Sequence, residues 1–185
     1  MADKPWKKME RDIARIFHTT RRLMKGTDAV SDIGDENFPL VVDCKKRKKQ
    51  SWEITSWFKK IERAALEKGK WPVLVLQEPG KQRKYAIVRR GPLVKLILKK
   101  TGIDANVFHV VEKTGNRFSV LSEWQLSMKK LSKLRSKSKH DLHLILCVKN
   151  EKADLDLAIL KPEVLSWIFV EGGVIDAGHT SEGQE

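Results

Sequence analysis

Three residues carry the first chemical signal in this chain: Asp32, then Asp43 eleven positions later, then Lys45. Asp43 and Lys45 end an apolar run, Phe38-Pro-Leu-Val-Val-Asp43-Cys44, which reads as a buried strand. Side chains alternate along a strand, so Asp43 and Lys45 share one face and Val42 and Cys44 the other. A carboxylate and an ammonium at the end of such a strand are costly to cover unless each finds a partner. A divalent metal and a phosphate would be those partners. Asp32, on a short preceding strand suggested by Ala29, Val30 and Ile33, would supply a second carboxylate, and oxygen ligands of this kind suit Mg²⁺. Lys45 could orient or deprotonate an attacking water and neutralise charge on the phosphate, while the metal lowers the pKa of a water and stabilises the transition state. This is the outline of phosphodiester hydrolysis. The bland alternative is a solvated strand end.

Glu10 adds a third acid. It lies four residues after Trp6, three before Ile13 and seven before Phe17, on or beside the apolar face of its helix. There it would complete an acidic cluster, or else sit at the face boundary, turned outward or paired with a basic neighbour. Asp28 and Asp35 lie in the same loop as Asp32 and are alternatives to it; the spacing to Asp43 and the following Ile33 favour Asp32.

The surroundings are basic. Lys45 is followed by Lys46, Arg47, Lys48 and Lys49, while Arg21, Arg22 and Lys25 flank the acidic loop on its other side. Next to an acidic pair, such runs are expected to grip phosphates, setting register without reading bases. Across the 185 residues, 37 Lys and Arg stand against 24 Asp and Glu, a formal charge of +13. Nucleic acid is therefore the leading partner, through neutralised phosphates and released counterions.

Composition excludes other classes. With 41% hydrophobic residues and six Trp, the chain can fill a core, which rules out disorder throughout, collagen and a small disulfide scaffold. Cys44 and Cys147 lie in apolar runs without metal-ligand spacing, so they are expected to be reduced, buried thiols. Neither a secretory signal nor a membrane span is expected, and the location is expected to be cytoplasmic.

The elements that must position these residues follow from periodicity. Trp6, Met9, Ile13, Ile16 and Phe17 mark the apolar face of a first helix opened by Pro5, with Gly26 ending the element after its basic tail. A second helix is expected from Ser51 to Gly69, carrying Ile54, Trp57, Phe58, Ile61 and Ala65 inward. Strands are expected at 72–76 and 84–88, then a helix from Gly91-Pro92 to Gly102. Beyond it, 107–111 and 118–121 read as a hairpin, Ser122 as the cap of a helix ending in the basic stretch 129–139, and 142–148 and 155–160 as strands before a helix opened by Pro162. The fold class is α/β with a mixed central sheet flanked by helices. Residues 1–90 are expected to form the core, 91–171 an α+β extension on or beside it, and 172–185 a flexible acidic tail.

The pattern Ser31-Asp32-Ile33, then Val41-Val42-Asp43-Cys44-Lys45, with Glu10 on the preceding helix, resembles the PD-(D/E)xK nuclease superfamily, and within it the Holliday junction resolvases of archaeal and phage type. The resemblance covers residues 6 to about 90, and Ser31 stands where the family pattern has proline. It implies a restriction-endonuclease-like core and a catalytic set of Glu10, Asp32, Asp43 and Lys45. It also implies Mg²⁺, with Mn²⁺ as a possible substitute, held by Asp32, Asp43, Glu10 and the Cys44 backbone carbonyl. The implied activity is symmetric cleavage of four-way DNA junctions by a homodimer, since two cuts call for two sites. Competing expectations are a nuclease of the same fold acting on other branched or duplex DNA, and a nucleic-acid-binding protein without catalysis.

Overall fold

Seven residues, Leu40–Lys46, form strand β1, and their burial fades from Leu40–Asp43 to the half-covered Cys44–Lys46. In this computed structural model the described residues are 5–22, 31–46, 53–77, 82, 84–101, 109–113, 146–150 and 154–171. Around β1 the chain folds as α/β, a mixed sheet with helices on both faces. The elements in order are α1 (Pro5–Ile16), β1, α2 (Glu53–Leu66), β2 (Trp71–Gln77), β3 (Lys84–Arg89), α3 (Arg90–Thr101), β4 (His109–Lys113), β5 (Leu146–Asn150), β6 (Leu155–Leu160) and α4 (Pro162–Ser166), which runs into a wider turn at Trp167–Glu171.

Among the described residues six strands lie in the order β1-β2-β3-β6-β5-β4. β1 and β2 run parallel, with Asp43 opposite Leu74 and Lys45 opposite Leu76, and α2 provides the crossover that a parallel pair requires. β3 is antiparallel to β2 and to β6, β6 is antiparallel to β5, and β5 is parallel to β4. The described partner of β4 is β5; residues 118–121, expected to pair with 107–111 in a hairpin, lie outside the described residues, as does the helix expected after Ser122.

Two apolar layers follow from strand alternation. On one face Leu40 and Val42, Val73 and Val75, Ala86 and Val88, and Ala158 and Leu160 pack under Met9, Ile13 and Phe17 of α1, Leu93 and Ile97 of α3, and Val164 and Leu165 of α4. On the other face Val41, Leu74 and Leu76, Ile87, Leu157 and Ile159 pack under Ile54, Phe58, Ile61 and Ala65 of α2. Phe17 meets Phe38 edge to face, at 6.2 Å between ring centroids, closing the α1 layer beside β1.

Helix ends explain two boundaries. α2 closes on Gly69 (φ +61°): the Lys70 amide donates to the Ala65 carbonyl and the Gly69 amide to the Leu66 carbonyl, the reciprocal pattern that stops a helix with a left-handed residue. α1 stops earlier than its basic tail suggests. Thr19 N donates to Ala14 O and His18 N to Arg15 O, with His18 in the left-handed region (φ +51°) that glycine usually fills. The chain then turns back, so that Arg21 and Ile33 form an antiparallel bridge outside β1. Trp6 departs from its expected place on the apolar face: Met9, Ile13 and Phe17 are covered, but Trp6 is 42% exposed.

Candidate active site

The outer edge of β1 is where the predicted residues meet. An edge strand presents unpaired amides and carbonyls, and here the segment 31–32 meets those of Val42 and the Cys44 amide. Asp32 N donates to Val42 O at 2.7 Å. Val42 N donates to Ser31 Oγ at 3.1 Å, and Cys44 N donates to Asp32 Oδ2 at 2.6 Å. Ser31 Oγ in turn donates to Ile33 O at 2.8 Å, so this buried hydroxyl is fully used. The segment 31–33 thus forms an isolated backbone bridge to Arg21 and meets β1 through the Asp32 amide and the Ser31 and Asp32 side chains, not as the regular strand that Ala29, Val30 and Ile33 suggested; residues 29 and 30 lie outside the described residues. Gly34 (φ +84°) gives this segment its turn into β1, and a Cβ there would meet the Phe38 ring at 2.3 Å.

Alternation places Asp43 and Lys45 as expected, on the α2 face, with Val42 and Cys44 on the α1 face. Lys45 Nζ donates to Asp43 Oδ1 at 2.7 Å, both side chains being largely covered. The Cys44 carbonyl points to the same outer edge as the Cys44 amide, by the two-residue period that also puts the Val42 carbonyl there.

Glu10 is buried, and Arg21 Nε donates to its Oε2 at 2.5 Å. Of the two roles open to Glu10 in the sequence, pairing with a basic neighbour is the one this conformation displays. The same guanidinium lies 5.5 Å from the centroid of the Trp6 ring, and Lys7 Nζ lies 5.6 Å from it.

Asp43 and Glu10 lie close enough to act on the Asp32 carboxyl. The Asp32 carboxyl is pushed up to about 7, first by burial, with the charges of Asp43 and Glu10 adding to it; the Cys44 amide and Lys45 oppose the rise. Burial also drives the Cys44 thiol well above its ordinary value, reinforced by Asp32, Asp43 and Glu10. Cys44 therefore enters this site through its backbone and not as a thiolate.

Among the described residues no three His, Cys, Asp or Glu side chains stand in a ready cation cage. The donor chemistry nonetheless fits a hard cation: two carboxylates flank the Cys44 peptide, and Asp32 is buried, with the Cys44 amide and Lys45 favouring its charged form.

Of the cations expected to hold phosphates, Arg21 is engaged by Glu10, Arg22 adjoins the site through its amide bond to Asp32 O at 3.0 Å, and Lys46 is half-covered at the end of β1. Lys25, Arg47, Lys48 and Lys49 lie outside the described residues, as does Asp28. Asp35 caps a turn, accepting from the amides of Asn37 and Phe38 at 2.9 and 3.0 Å.

Two features escaped the sequence reading. Ser31 seals the edge of β1, and the only signal for it was its place before Asp32. Gln77, buried at the end of β2 opposite Lys46, is a polar residue closing an apolar strand, a signal that could have been read. Comparison of the chain with protein-family models, with curated proteins and with solved structures finds no match.

Proposed function

We propose that the chain is a metal-dependent endonuclease with a PD-(D/E)xK-type centre in a restriction-endonuclease-like core. The observation that carries this reading is the 2.6 Å bond from the Cys44 amide to Asp32. It ties an acid from the preceding segment to the middle of Asp43-Cys44-Lys45, so that two carboxylates, a carbonyl and a lysine gather at one strand edge.

In this reading Asp32, Asp43 and the Cys44 carbonyl hold a Mg²⁺ ion, for which Mn²⁺ can substitute. The ion supplies Lewis acidity at the phosphate and lowers the pKa of a water. Lys45 orients that water and neutralises charge developing on the phosphate. Glu10 joins the acidic cluster once Arg21 turns from it to a phosphate oxygen. Arg22 and Lys46, with the basic residues beyond them in sequence, hold the flanking backbone. The finer substrate in this proposal is a four-way DNA junction cut symmetrically by a homodimer. A surplus of +13 charges and selection by shape suit that substrate.

The second reading is a nucleic-acid-binding protein without catalysis. It is favoured by the pairing of Glu10 with Arg21 and of Asp43 with Lys45, which leaves the acids serving as structural partners.

Incubating the purified chain with labelled four-way junction and with linear duplex, in Mg²⁺ or in EDTA, separates these readings. Paired symmetric nicks on the junction alone, lost in Asp43→Asn and reduced about 10²-fold or more in Lys45→Ala while binding persists, are the expected result. Equal cutting of linear duplex would overturn junction selectivity, and binding without cutting in Mg²⁺ or Mn²⁺ would leave the second reading.

A further inference from the structure

Trp6 is an exposed aromatic at an unusual address. A Trp on the surface is unremarkable when it stands alone among neutral neighbours. This one belongs by spacing to the apolar stripe of α1, yet it lies outside the core that Met9, Ile13 and Phe17 enter. Two cations approach its ring, Lys7 at 5.6 Å and Arg21 at 5.5 Å from the centroid. Arg21 also bonds Glu10, so a single guanidinium joins the ring to the acidic centre.

We propose that Trp6 is a stacking platform for an unpaired nucleobase entering the active site of this nucleic-acid-binding chain. This rests on the nucleic-acid reading above and deepens it by naming what the enzyme recognises at its entrance. Every base has a π-face, so an indole flanked by cations offers stacking for the base while the cations take the adjoining phosphates. Paired bases inside a duplex cannot reach such a platform, whereas a base unstacked at a branch or in a single strand can. Lys7, on a flexible stem, swings from the ring to the backbone as the base arrives. Arg21, leaving Glu10 for phosphate, links base capture to assembly of the acidic cluster.

The test measures binding of the full chain in EDTA, where cleavage cannot occur, to a forked oligonucleotide and a blunt duplex of equal length. The fork carries the fluorescent base analogue 2-aminopurine in its unpaired arm. Trp6→Ala should weaken fork binding about ten-fold or more and abolish quenching of the analogue, Trp6→Phe should keep most of both, and duplex affinity should change less than about two-fold. A thermal melt matching the parent's shows that Trp6→Ala is folded; if it is not, Trp6→Leu, which keeps bulk without a π-face, carries the same expectation.

Equal losses on fork and duplex, or unchanged fork binding and quenching, would overturn the platform and leave the nuclease reading intact. A parent chain that binds neither oligonucleotide would overturn both. Selective loss on the fork from a parent that never cleaves would support the platform and sink catalysis alone.

Discussion

Asp32 sits in a conflict of demands. It seals the Cys44 amide, which favours a charged acceptor, yet burial and the charges of Asp43 and Glu10 push its carboxyl up to about 7. The sign follows directly. Between the ordinary value of 3.8 and about 7, the folded chain holds a proton that the unfolded chain has lost. Stability from this group is therefore fully present below pH 4 and is lost as pH rises towards 7, by up to about 4 kcal/mol. Asn at this position keeps an acceptor for the amide without the charge. Asp32→Asn is therefore expected to melt higher than the parent at pH 7.5, with the difference shrinking at pH 4.5; on the proposed function it also loses cleavage. A thermal melt at both pH values checks this; an unchanged or lower melting temperature at pH 7.5 would contradict it. On the proposed function, added Mg²⁺ should narrow the gap by stabilising the parent alone. The sequence made Asp32, Asp43 and Lys45 legible because strand alternation and spacing are local properties. It could not show that Arg21 reaches Glu10, since that contact depends on how the chain turns after α1.

Helices and strands were legible to different degrees, for physical reasons. β6 and the opening of α4 match their expected positions because a continuous apolar run and a Pro at the first turn are strong local markers. The end of α1 was misplaced because His18 adopts the left-handed turn that stops the helix, well before Gly26 in the sequence. That residue suffers a strain that glycine would not, so His18→Gly is expected to stabilise the fold by about 0.5–1 kcal/mol. Gly69→Ala at the equivalent turn of α2 should cost about 1 kcal/mol, from backbone strain alone, because open space surrounds the position. Urea titration of the two variants measures both, and opposite signs are the decisive outcome. Trp6 was misread for a related reason: a helical period shows which residues share a face, and says nothing of where along that face the core ends.

At the scale of the molecule, strand order was beyond reach of the sequence, because partners far apart in the chain choose one another through packing. β3 is paired on one side with β2 and on the other with β6, seventy-one residues after β3 begins. The α1 layer likewise draws Ala158 and Leu160 of β6 and Val164 and Leu165 of α4 into the same core as Val42 and Val75. Arg89, forked onto Glu62 at 2.6 and 2.8 Å, also reaches the Asp154 carbonyl at 2.9 Å, tying α2 and β3 to the turn before β6. A chain ending at residue 90 would expose the amides of β3 and the apolar faces that β6 and α4 cover. It is expected to lose cooperative unfolding and to elute as aggregate; a monodisperse, cooperatively melting fragment would contradict this.

The bonds that Ser31 and Asp32 make to β1 also bear on colloidal behaviour. A strand at the margin of a sheet invites the same strand of another molecule, and here the invitation is withdrawn by a hydroxyl and a carboxylate already seated on its amides. Asp32→Ala would reopen the Cys44 amide, so a preparation of that variant is expected to associate edge to edge on storage where Asp32→Asn remains dispersed. The residue proposed to hold the ion would then also be one that keeps the protein from templating its own fibres.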